Sequence, residues 1–360
     1  MPAVSICLPV YNGESYLKDA IDSALAQSFD DFELLISDDC STDHSNEIAL
    51  EYAKKDARII YWRNEQNKGL FGNYNECMFR ASGEFIKPYA QDDMFEPNML
   101  QDMVAKFKEH PEVTLIACAR KIVDPSNNLI KVQSEFPEER VMDGEDVVRD
   151  GLTSLANGIG EPSTVMFPRK FIGEGFDTSL YHLGDIEYWF RLALHGKFLY
   201  MAEVLCSFRR HSASTTNRNA RGLRFALDML KLGDKYKTML RNWGISEEYF
   251  DDLVWEVVSG HTRMLFQQEN VTIEDVLEVR GNDEASLIDE LNGFKRLALY
   301  GILVGARSVE EKGAVVRAWE SERNRLEGEI AKLLSSRSWK FTTKLRGAVD
   351  ALRTAKNKVT

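Results

Sequence analysis

Short apolar runs alternate with amphipathic segments over the first 120 residues, and no other feature restricts the possible fold as strongly. The runs of strand length, rich in apolar and β-branched residues, are 4–10, 32–37, 58–62, 85–89 and 113–119. Between the first two runs, one helix face is marked by Leu17, Ala20, Ile21, Ala24 and Leu25. Strands separated by helices at this spacing form βαβ units. We therefore predict an α/β fold with a Rossmann-like, mostly parallel central sheet.

Two of the predicted strands end in adjacent carboxylates. Asp38 and Asp39 follow the second strand, and Asp92 and Asp93 follow the fourth. Parallel strands carry their carboxyl ends at the same edge of a sheet, so both pairs are expected to share one crevice there. Carboxylate oxygens suit Mg²⁺ or Mn²⁺, and a diphosphate can supply the remaining ligands. Taken alone, the pair at 92–93 is equally well explained as an ordinary acidic turn.

The segments after the second acid pair are less regular. Pro97 is expected in the first turn of a helix that ends near residue 108, and residues 125–128 form the turn of a predicted hairpin. Residues 135–157 are polar and are expected to be partly loop. A further short strand is predicted at residues 163–167.

A helix is predicted within residues 181–196, and Asp185 stands at its start. Asp is a common N-cap residue, and the alternative role for this carboxylate is that of a general base. A strand-like segment, residues 197–208, then leads to Arg209, Arg210 and His211. His211 is either a solvated histidine or a ligand of a metal or phosphate group.

The composition excludes several classes of protein. A net charge of −12 argues against nucleic acid as a partner, and the lack of a G-x-G-x-x-G or Walker loop argues against a dinucleotide or P-loop site. The five cysteines show neither metal-ligand spacing nor a paired framework, which fits a reducing cytosol. Neither a signal peptide nor a membrane-spanning run is evident. We expect a cytoplasmic protein, held at most on a membrane surface.

The pattern becomes helical beyond residue 216. Residues 217–305 are predicted to form a helical accessory region, and residues 306–334 either a coiled-coil-like helix that joins two copies or one long solvent-flanked helix. Residues 335–360 contain seven basic residues and one acidic residue, with an apolar helical face. This basic amphipathic tail suits an anionic membrane surface, the alternative being a solvated terminal helix.

Several ordered segments of the chain resemble glycosyltransferase family 2, whose members have the GT-A fold. The resemblance covers about residues 4–216. It rests on VSICLPVYNGESYLKDAIDSALAQSFDDFELLISDDCSTD, NEQNKGLFGNYNECMFRASGEFI, YAQDDMFEP, GDIEYWFRL and FRRH, in that order. It implies a GT-A domain over residues 1–216, a nucleotide-sugar donor, a divalent cation (Mn²⁺ or Mg²⁺) and a single displacement with inversion at the anomeric carbon.

The resemblance also implies where the donor binds. Pro9 and Tyr11 match positions that line the base and ribose, and Asp39, with Asp38 beside it, matches the position that hydrogen-bonds the pyrimidine. Asp92 matches the acid near the ribose and the metal. The other residues expected at the nucleotide sugar, in part as phosphate partners, are Asn67, Lys68, Arg209 and Arg210.

For the chemistry, the resemblance implies that Asp93 is a direct metal ligand, with Asp92 beside it and His211 as an added histidine ligand. Asp185 falls at the position of the general base, and Glu187 is the second candidate for that role. Two residues depart from the common pattern. Ala90 replaces the first acid of a D-x-D triplet, and Cys40 replaces the usual glycine after the first acid pair.

These observations lead to one functional hypothesis and two alternatives. The expected enzyme transfers a sugar from a UDP- or dTDP-linked donor to a growing, lipid-linked bacterial surface polysaccharide such as O-antigen or capsule, at the inner face of the cell membrane. A nucleotidyltransferase acting on sugar phosphates also uses a parallel sheet and paired acids, but the chain lacks the glycine-rich basic loop. The second alternative is a non-catalytic scaffold with the same fold.

Overall fold

The structure is a computed structural model that describes residues 1–180, 182–211, 224–246, 249–250 and 253–254. The predicted coiled-coil-like helix at 306–334, the basic tail at 335–360 and most of the accessory region at 217–305 lie outside these residues. Within the described part, every helix is too short or too polar to cross a membrane.

The described residues form ten strands and seven helices. The strands are β1 (Val4–Val10), β2 (Phe32–Asp38), β3 (Ile59–Arg63), β4 (Phe85–Pro88), β5 (Met94–Phe95), β6 (Val113–Val123), β7 (Leu129–Gln133), β8 (Arg140–Asp143), β9 (Val165–Pro168) and β10 (Lys197–Arg209). The helices are α1 (Leu17–Leu25), α2 (Ser45–Lys55), α3 (Gly69–Arg80), α4 (Met99–Glu109), α5 (Gly144–Ser154), α6 (Gly184–Ala193) and α7 (Arg224–Asn242).

The strands form one sheet in the order β3-β2-β1-β4-β9-β6-β10-β5. The first four of these are mutually parallel, and β6 and β10 form a second parallel pair. Strand β9 joins the two groups by antiparallel pairing with β4 and β6. Strand β7 pairs antiparallel with β6, and β8 pairs antiparallel with β10. The α/β class with a mostly parallel central sheet is confirmed. The carboxyl ends of β1, β2 and β4 therefore lie at one edge.

The hydrophobic core explains why the alternating pattern was readable from the sequence. All seven residues of β1 are buried, as expected for a central parallel strand covered on both faces. On one face, Ile6 and Leu8 of β1 belong to the same core cluster as Ile21 of α1 and Met103 of α4. The helices thus bury the apolar stripe that their spacing predicted, and their packing fixes the sheet edge where the acid pairs emerge.

Some boundaries differ from the prediction for identifiable reasons. Helix α4 begins at Met99 rather than Pro97, because the Pro97 carbonyl accepts a hydrogen bond from the Ser28 amide instead of starting the helix. The polar stretch 135–157 contains β8 and α5. Its amphipathic helix was missed, although Asp143 caps it by accepting a hydrogen bond from the amide of Glu145.

A close approach between α5 and α6 provides a test of this packing. A Cβ atom added to Gly144 would lie 1.8 Å from the Ala193 carbonyl oxygen, whereas one added to Gly158 would meet no atom within 4 Å. We expect Gly144→Ala to lower the free energy of unfolding by about 1–3 kcal/mol or more, as overpacking does, and Gly158→Ala to change it by less than about 0.5 kcal/mol. Urea denaturation measures both, and equal stability of the two variants would contradict the packing described here.

Candidate active site

The turn after β2 is built around Asp38. This buried carboxylate accepts a hydrogen bond from the Ser41 amide at 2.9 Å and lies 3.6 Å from the Arg63 guanidinium. Cys40, which stands where a glycine was expected, has φ +64° and so adopts the left-handed conformation that glycine favours. Its thiol donates to the Asn64 carbonyl oxygen at 3.1 Å. The expected turn therefore forms despite the cysteine, with Asp38 as its internal support.

Asp39 connects the end of β2 to the start of α3. Its carboxylate accepts hydrogen bonds from the backbone amides of Lys68 and Gly69, at 2.8–3.0 Å, and from the Asn64 side chain at 2.9 Å. The Asn67 side chain donates to the Asp39 carbonyl oxygen at 3.1 Å. A carboxylate at a helix N-terminus is stabilised by the unpaired amides and the helix dipole. The structure thus brings together three residues predicted to bind the donor.

The end of β1 forms another wall of the site. Pro9 lies opposite Ser37 of β2, and Tyr11, directly after the strand, is 43% exposed. The Tyr11 amide donates to the Gln91 side chain at 2.9 Å, and the Gln91 amide group donates back to the Tyr11 carbonyl oxygen at 3.0 Å. These bonds tie β1 to the segment that carries the second acid pair. They leave the Tyr11 ring accessible at the sheet edge.

Asp92 and His211 form a pair. The His211 Nε2 atom lies 2.8 Å from an Asp92 carboxylate oxygen, and both side chains remain partly exposed. Their approach follows from the antiparallel pairing of β5 with β10, in which Met94 lies opposite Ser207. A carboxylate and an imidazole side by side are two donors that Mn²⁺ or Mg²⁺ accepts, with carboxylate preferred by both.

Asp93, predicted to be a direct metal ligand, lies in a different environment. It is buried, and its two carboxylate oxygens accept hydrogen bonds from the Ser163 hydroxyl at 2.5 Å and the Arg209 amide at 3.0 Å. Burial raises the pKa of Asp93 well above its usual range, and the charge of Asp92 adds to the effect. Ser163 and Arg209 hold the Asp93 carboxylate in place through one donor to each oxygen, and its role as a metal ligand stays a prediction.

Arg209, which was expected to contact phosphate, is likewise held by protein partners. Its guanidinium group is buried and donates to the Asp92 carbonyl oxygen, the Asp19 carboxylate and the Pro125 carbonyl oxygen, at 2.9, 2.9 and 3.3 Å. Arg209 therefore holds the Asp92 backbone in place. The side chain of Lys68 pairs with Glu76. Arg210 is exposed and stays a candidate for phosphate contact.

Asp185 lies in the first turn of α6, whose N-cap residue is Leu183, so Asp185 is not the cap. One of its carboxylate oxygens accepts a hydrogen bond from the Ile186 amide at 2.8 Å. Burial raises the pKa of Asp185 to about 7, with smaller contributions from the charges of Glu161 and Asp228. A carboxylate with such a pKa is partly ionised at neutral pH and can accept a proton from a hydroxyl group.

Glu187, the second candidate for the base, is excluded by its partners. Its carboxylate is fully buried and pairs with Arg191 of the same helix at 2.9 Å and with Lys235 of α7 at 2.6 Å. Glu187 therefore joins α6 to α7.

By contrast, Asp92, Asp93 and Asp185 all act on the buried phenol of Tyr74, whose pKa rises mainly through burial and further through these charges. The charges of all three carboxylates thus act on one side chain of α3.

The donor atoms fit a divalent cation only in part. In the described residues, no group of three or more His, Cys, Asp and Glu side chains is arranged to hold a metal ion. Asp92 and His211 provide two ligands, and Ala90 provides none where the D-x-D pattern has its first acid. This set suits a cation that takes its other ligands from a bound diphosphate and water.

Comparisons with known proteins place this site in a family. Residues 5–173 match the family model described as Glycosyl transferase family 2. The Mycobacterium tuberculosis protein MT1568, which is uncharacterized, is 32% identical over 223 residues, with 59% of this chain and 69% of the relative covered. This chain belongs to glycosyltransferase family 2. The uncharacterized glycosyltransferase RT0329 of Rickettsia typhi is 30% identical over 223 residues, covering 60% of this chain and 66% of the relative. The chain thus spans about two thirds of these relatives.

Two further proteins resemble this family 2 member. A Bacillus subtilis glycosyltransferase, TuaG, whose name refers to teichuronic acid biosynthesis, is 29% identical over 210 residues, covering 58% of this chain and 79% of TuaG. The crystal structure of Staphylococcus aureus TarS, residues 1–349 in complex with UDP-GlcNAc, aligns with a TM-score of 0.58 at 19% identity, over 89% of this chain and 92% of that chain. The structural likeness confirms the predicted GT-A fold.

Some residues of the site had no signal in the sequence. Gln91, Ser163 and Lys87 were given no role from the sequence, although Gln91 lies within YAQDDMFEP, yet each fixes a segment that carries predicted residues. The Lys87 ammonium is buried in β4 and donates to the Pro88 and Ser163 carbonyl oxygens at 2.8 Å, and burial lowers its pKa to about 8. Apart from the bond between Lys87 and Pro88, these contacts join residues 70 or more positions apart in the chain, so only the folded structure shows them.

The raised pKa of Asp185 predicts how stability depends on pH. The folded protein binds this proton more tightly than the unfolded chain, where the pKa lies near 3.8, so the protonated carboxyl stabilises the fold below about pH 4 and this contribution is lost as the pH rises through about 7. We expect Asp185→Asn to raise Tm at pH 8 and to leave it nearly unchanged at pH 4. Asp150→Asn, an exposed change on α5, is the control in scanning calorimetry. Parallel pH profiles for the two variants would refute the assignment.

Proposed function

We propose that this family 2 member is an inverting glycosyltransferase that moves a sugar from a nucleotide-sugar donor to a cell-surface polysaccharide. The observation that carries the proposal is the Asp92–His211 pair, 2.8 Å apart, together with Asp185, whose charge raises the pKa of the same buried Tyr74 as the charge of Asp92 does. Asp92 and His211 are suited to bind a cation and its diphosphate, and Asp185 is suited to accept a proton. Transfer from a nucleoside diphosphate to a hydroxyl group needs both.

The donor half of the site is assigned to the ends of β1 and β2. The exposed ring of Tyr11 can stack on a nucleobase, and Asp39, whose buried carboxylate holds the Lys68 and Gly69 amides, matches the family position that hydrogen-bonds a pyrimidine. UDP- or dTDP-linked sugars are therefore the proposed donors. The Arg210 side chain is exposed after β10 and offers a cation for the diphosphate.

The residues that would hold a divalent cation are Asp92 and His211. A Mn²⁺ or Mg²⁺ ion bound there would neutralise the negative charge that develops on the leaving diphosphate. The remaining polar groups keep these two side chains in place. Arg209 donates to the Asp92 carbonyl oxygen, and Asp93 accepts from the Arg209 amide, so the strand end that precedes His211 is anchored to both acids.

Asp185 is the proposed general base. Its carboxylate would take the proton of the acceptor hydroxyl as that oxygen attacks the anomeric carbon from the face opposite the leaving group, which inverts the configuration. A pKa of about 7 favours this role, because the base is then both ionised to a useful extent and strong enough to accept the proton. No covalent sugar–enzyme intermediate is needed.

The acceptor is proposed to be a lipid-linked glycan at the inner face of the cell membrane. The likeness to TuaG supports a surface polysaccharide, among which O-antigen and capsule are candidates. The basic tail at 335–360 would hold the enzyme peripherally on anionic lipids, and the helix at 306–334 would join two copies if it forms a coiled coil. Nucleic acid has no part in this proposal.

The two alternatives differ in what they predict for nucleotides. A nucleotidyltransferase acting on sugar phosphates would bind a nucleoside triphosphate and release diphosphate, but membership of family 2 favours glycosyl transfer. A non-catalytic scaffold of this fold would not be stabilised by any nucleoside diphosphate. Thermal-shift measurements with UDP, dTDP and GDP sugars, with and without Mn²⁺, separate these cases, since a ligand at about a hundred times its Kd stabilises the folded state by about 2.7 kcal/mol.

Asp185→Asn tests the assigned base. We expect this variant to bind the donor as the wild type does and to lose sugar transfer by about a hundredfold or more, because the amide cannot accept the hydroxyl proton. Donor binding is measured by calorimetry, and transfer by nucleoside diphosphate release with a glycan acceptor. Asp150→Asn serves again as the control and should keep full activity. Unimpaired transfer by Asp185→Asn would remove Asp185 from this role.

Removal of residues 335–360 tests the membrane proposal. The truncated protein is expected to lose binding to vesicles that contain anionic lipids, because the seven basic residues of the tail are then absent. Co-sedimentation with anionic and with neutral vesicles measures this difference. Equal binding of the full-length and truncated proteins to anionic vesicles would show that the tail is not the anchor.

A further inference from the structure

Helix α7 packs against the segment that leads into α6. Besides the ion pair between Lys235 and Glu187, Lys231 donates to the Ser179 carbonyl oxygen at 2.7 Å. The rings of Tyr236 on α7 and Phe190 on α6 lie edge to face, with 6.0 Å between their centroids. The described contacts of α7 therefore fall on both α6 and the chain directly before it.

Asp228 of α7 contacts the segment that leads into the first turn of α6, where the proposed base lies. This carboxylate is fully buried, and its Oδ2 atom accepts hydrogen bonds from the backbone amides of His182 and Leu183, at 2.6 and 3.0 Å. These two residues immediately precede α6, and the side chain of the N-cap residue Leu183 makes no capping hydrogen bond. The carboxylate of a distant helix thus holds the amides that lead into α6, including that of the N-cap residue, which has no partner within the helix.

The opposite side of the same turn is held by close packing. A Cβ atom added to Gly184, the first residue of α6, would lie 2.4 Å from the ring of Phe71 on α3. Phe71 is two residues beyond Gly69, whose amide donates to Asp39. The first turn of α6 is therefore held between α3, which also borders the donor half of the site, and Asp228 of α7.

We propose that Asp228 is a positioning residue for glycosyl transfer, which fixes the first turn of α6 and thereby the placement of Asp185. This inference rests on the proposed function, because Asp185 is the base only if that function is correct. The physical basis is the short distance along the chain between the hydrogen-bonded amides and Asp185. Asp185 follows Leu183 by two residues, so loss of the hydrogen bonds at His182 and Leu183 would let the turn, and the carboxylate with it, move.

Asp228 also contributes to the electrostatic environment of Asp185. The charged groups that act on Asp185 from other elements are Glu161 of the loop before β9 and Asp228 of α7, and the charge of Asp185 in turn acts on Tyr74 of α3. Both acidic groups raise the pKa of Asp185, in addition to the larger effect of burial. Removing the charge of Asp228 while keeping an acceptor oxygen should therefore lower the pKa of the base without releasing the turn.

Two substitutions separate these effects. Asp228→Ala removes both the charge and the acceptor, and we expect kcat to fall by about tenfold to a hundredfold while KM for the donor stays within about twofold. Asp228→Asn keeps one acceptor oxygen, and we expect it to retain most of the activity and to shift the acidic limb of the kcat–pH profile to lower pH. Asp234→Asn, at an exposed position on α7, is the matched control and should behave as the wild type.

A measurement that does not need activity distinguishes failure of this inference from failure of the proposed function. Carbon NMR of protein labelled at the Asp carboxyl groups follows the titration of Asp185, whose signal is identified by its absence in Asp185→Asn. The midpoint is expected at lower pH in Asp228→Asn than in the wild type. If the wild type neither binds nucleotide sugars nor transfers sugar, the proposed function fails, and the NMR midpoint still decides whether Asp228 acts on Asp185.

Three results would overturn the inference. The first is an Asp185 midpoint that is the same in the wild type and in Asp228→Asn. The second is an Asp228→Ala enzyme that folds and keeps the kcat of the wild type. If Asp228→Ala does not fold, Asp228→Asn carries the test alone through its pH profile and NMR midpoint. Equal losses in kcat and in donor affinity would also count against it, since a purely structural role predicts them.

Discussion

The pairing of β5 with the end of β10 is the interaction on which the candidate active site depends. Strand β5 follows the second acid pair directly, and its two residues lie opposite Ser207 and Cys206 of β10. As a result, the Arg209 amide reaches Asp93 and the His211 ring reaches Asp92. Without this short antiparallel contact, the acids would lose Arg209 and His211 as partners. The parallel strands alone place carboxylates at an edge of the sheet. Strand β10 adds the Arg209 amide and leads to His211, which together complete the site.

A second series of contacts links the donor half of the site to the half that carries the base. Asp39 accepts hydrogen bonds from the first amides of α3, the Phe71 ring of α3 packs on Gly184, and Gly184 precedes Asp185. Helix α3 is therefore the element common to both halves, and it also carries Tyr74. Each contact is a hydrogen bond or a close approach of a side chain to the backbone. A displacement of Asp39 is therefore expected to move α3 and, with it, the first turn of α6.

The site concentrates charge at a cost in stability. Asp93 and Asp185 both bind their protons more tightly than an exposed aspartate because burial disfavours the charged form. Nearby, the buried guanidinium of Arg120 pairs with Glu161 at 2.6 Å and with Glu135 at 3.2 Å, while Lys87 is satisfied by carbonyl oxygens. Charges confined in this way suit proton transfer and diphosphate binding, and they are less favourable for folding than apolar groups of similar size.

The amino-acid sequence by itself determined the α/β class, most strand positions and the family, because hydrophobic periodicity and motif order are local properties of the chain. It also indicated which carboxylates reach the sheet edge. Only the tertiary structure decided which of them are exposed to a ligand. Asp92 faces a histidine 119 positions away, whereas Asp93 is enclosed by Ser163 and Arg209.

The same limit applies to the general base and to its support. From spacing alone, Asp185 and Glu187 are two acids on one turn of a helix, and Asp228 is one more acid on another helix. Their roles diverge because Glu187 meets Lys235 and Asp228 meets the amides before α6, while Asp185 keeps a single backbone donor among the hydrogen bonds described for it. Burial and hydrogen-bond partners arise from residues far apart in the chain, so the pKa and the accessibility of a carboxylate are properties of the fold and not of its motif.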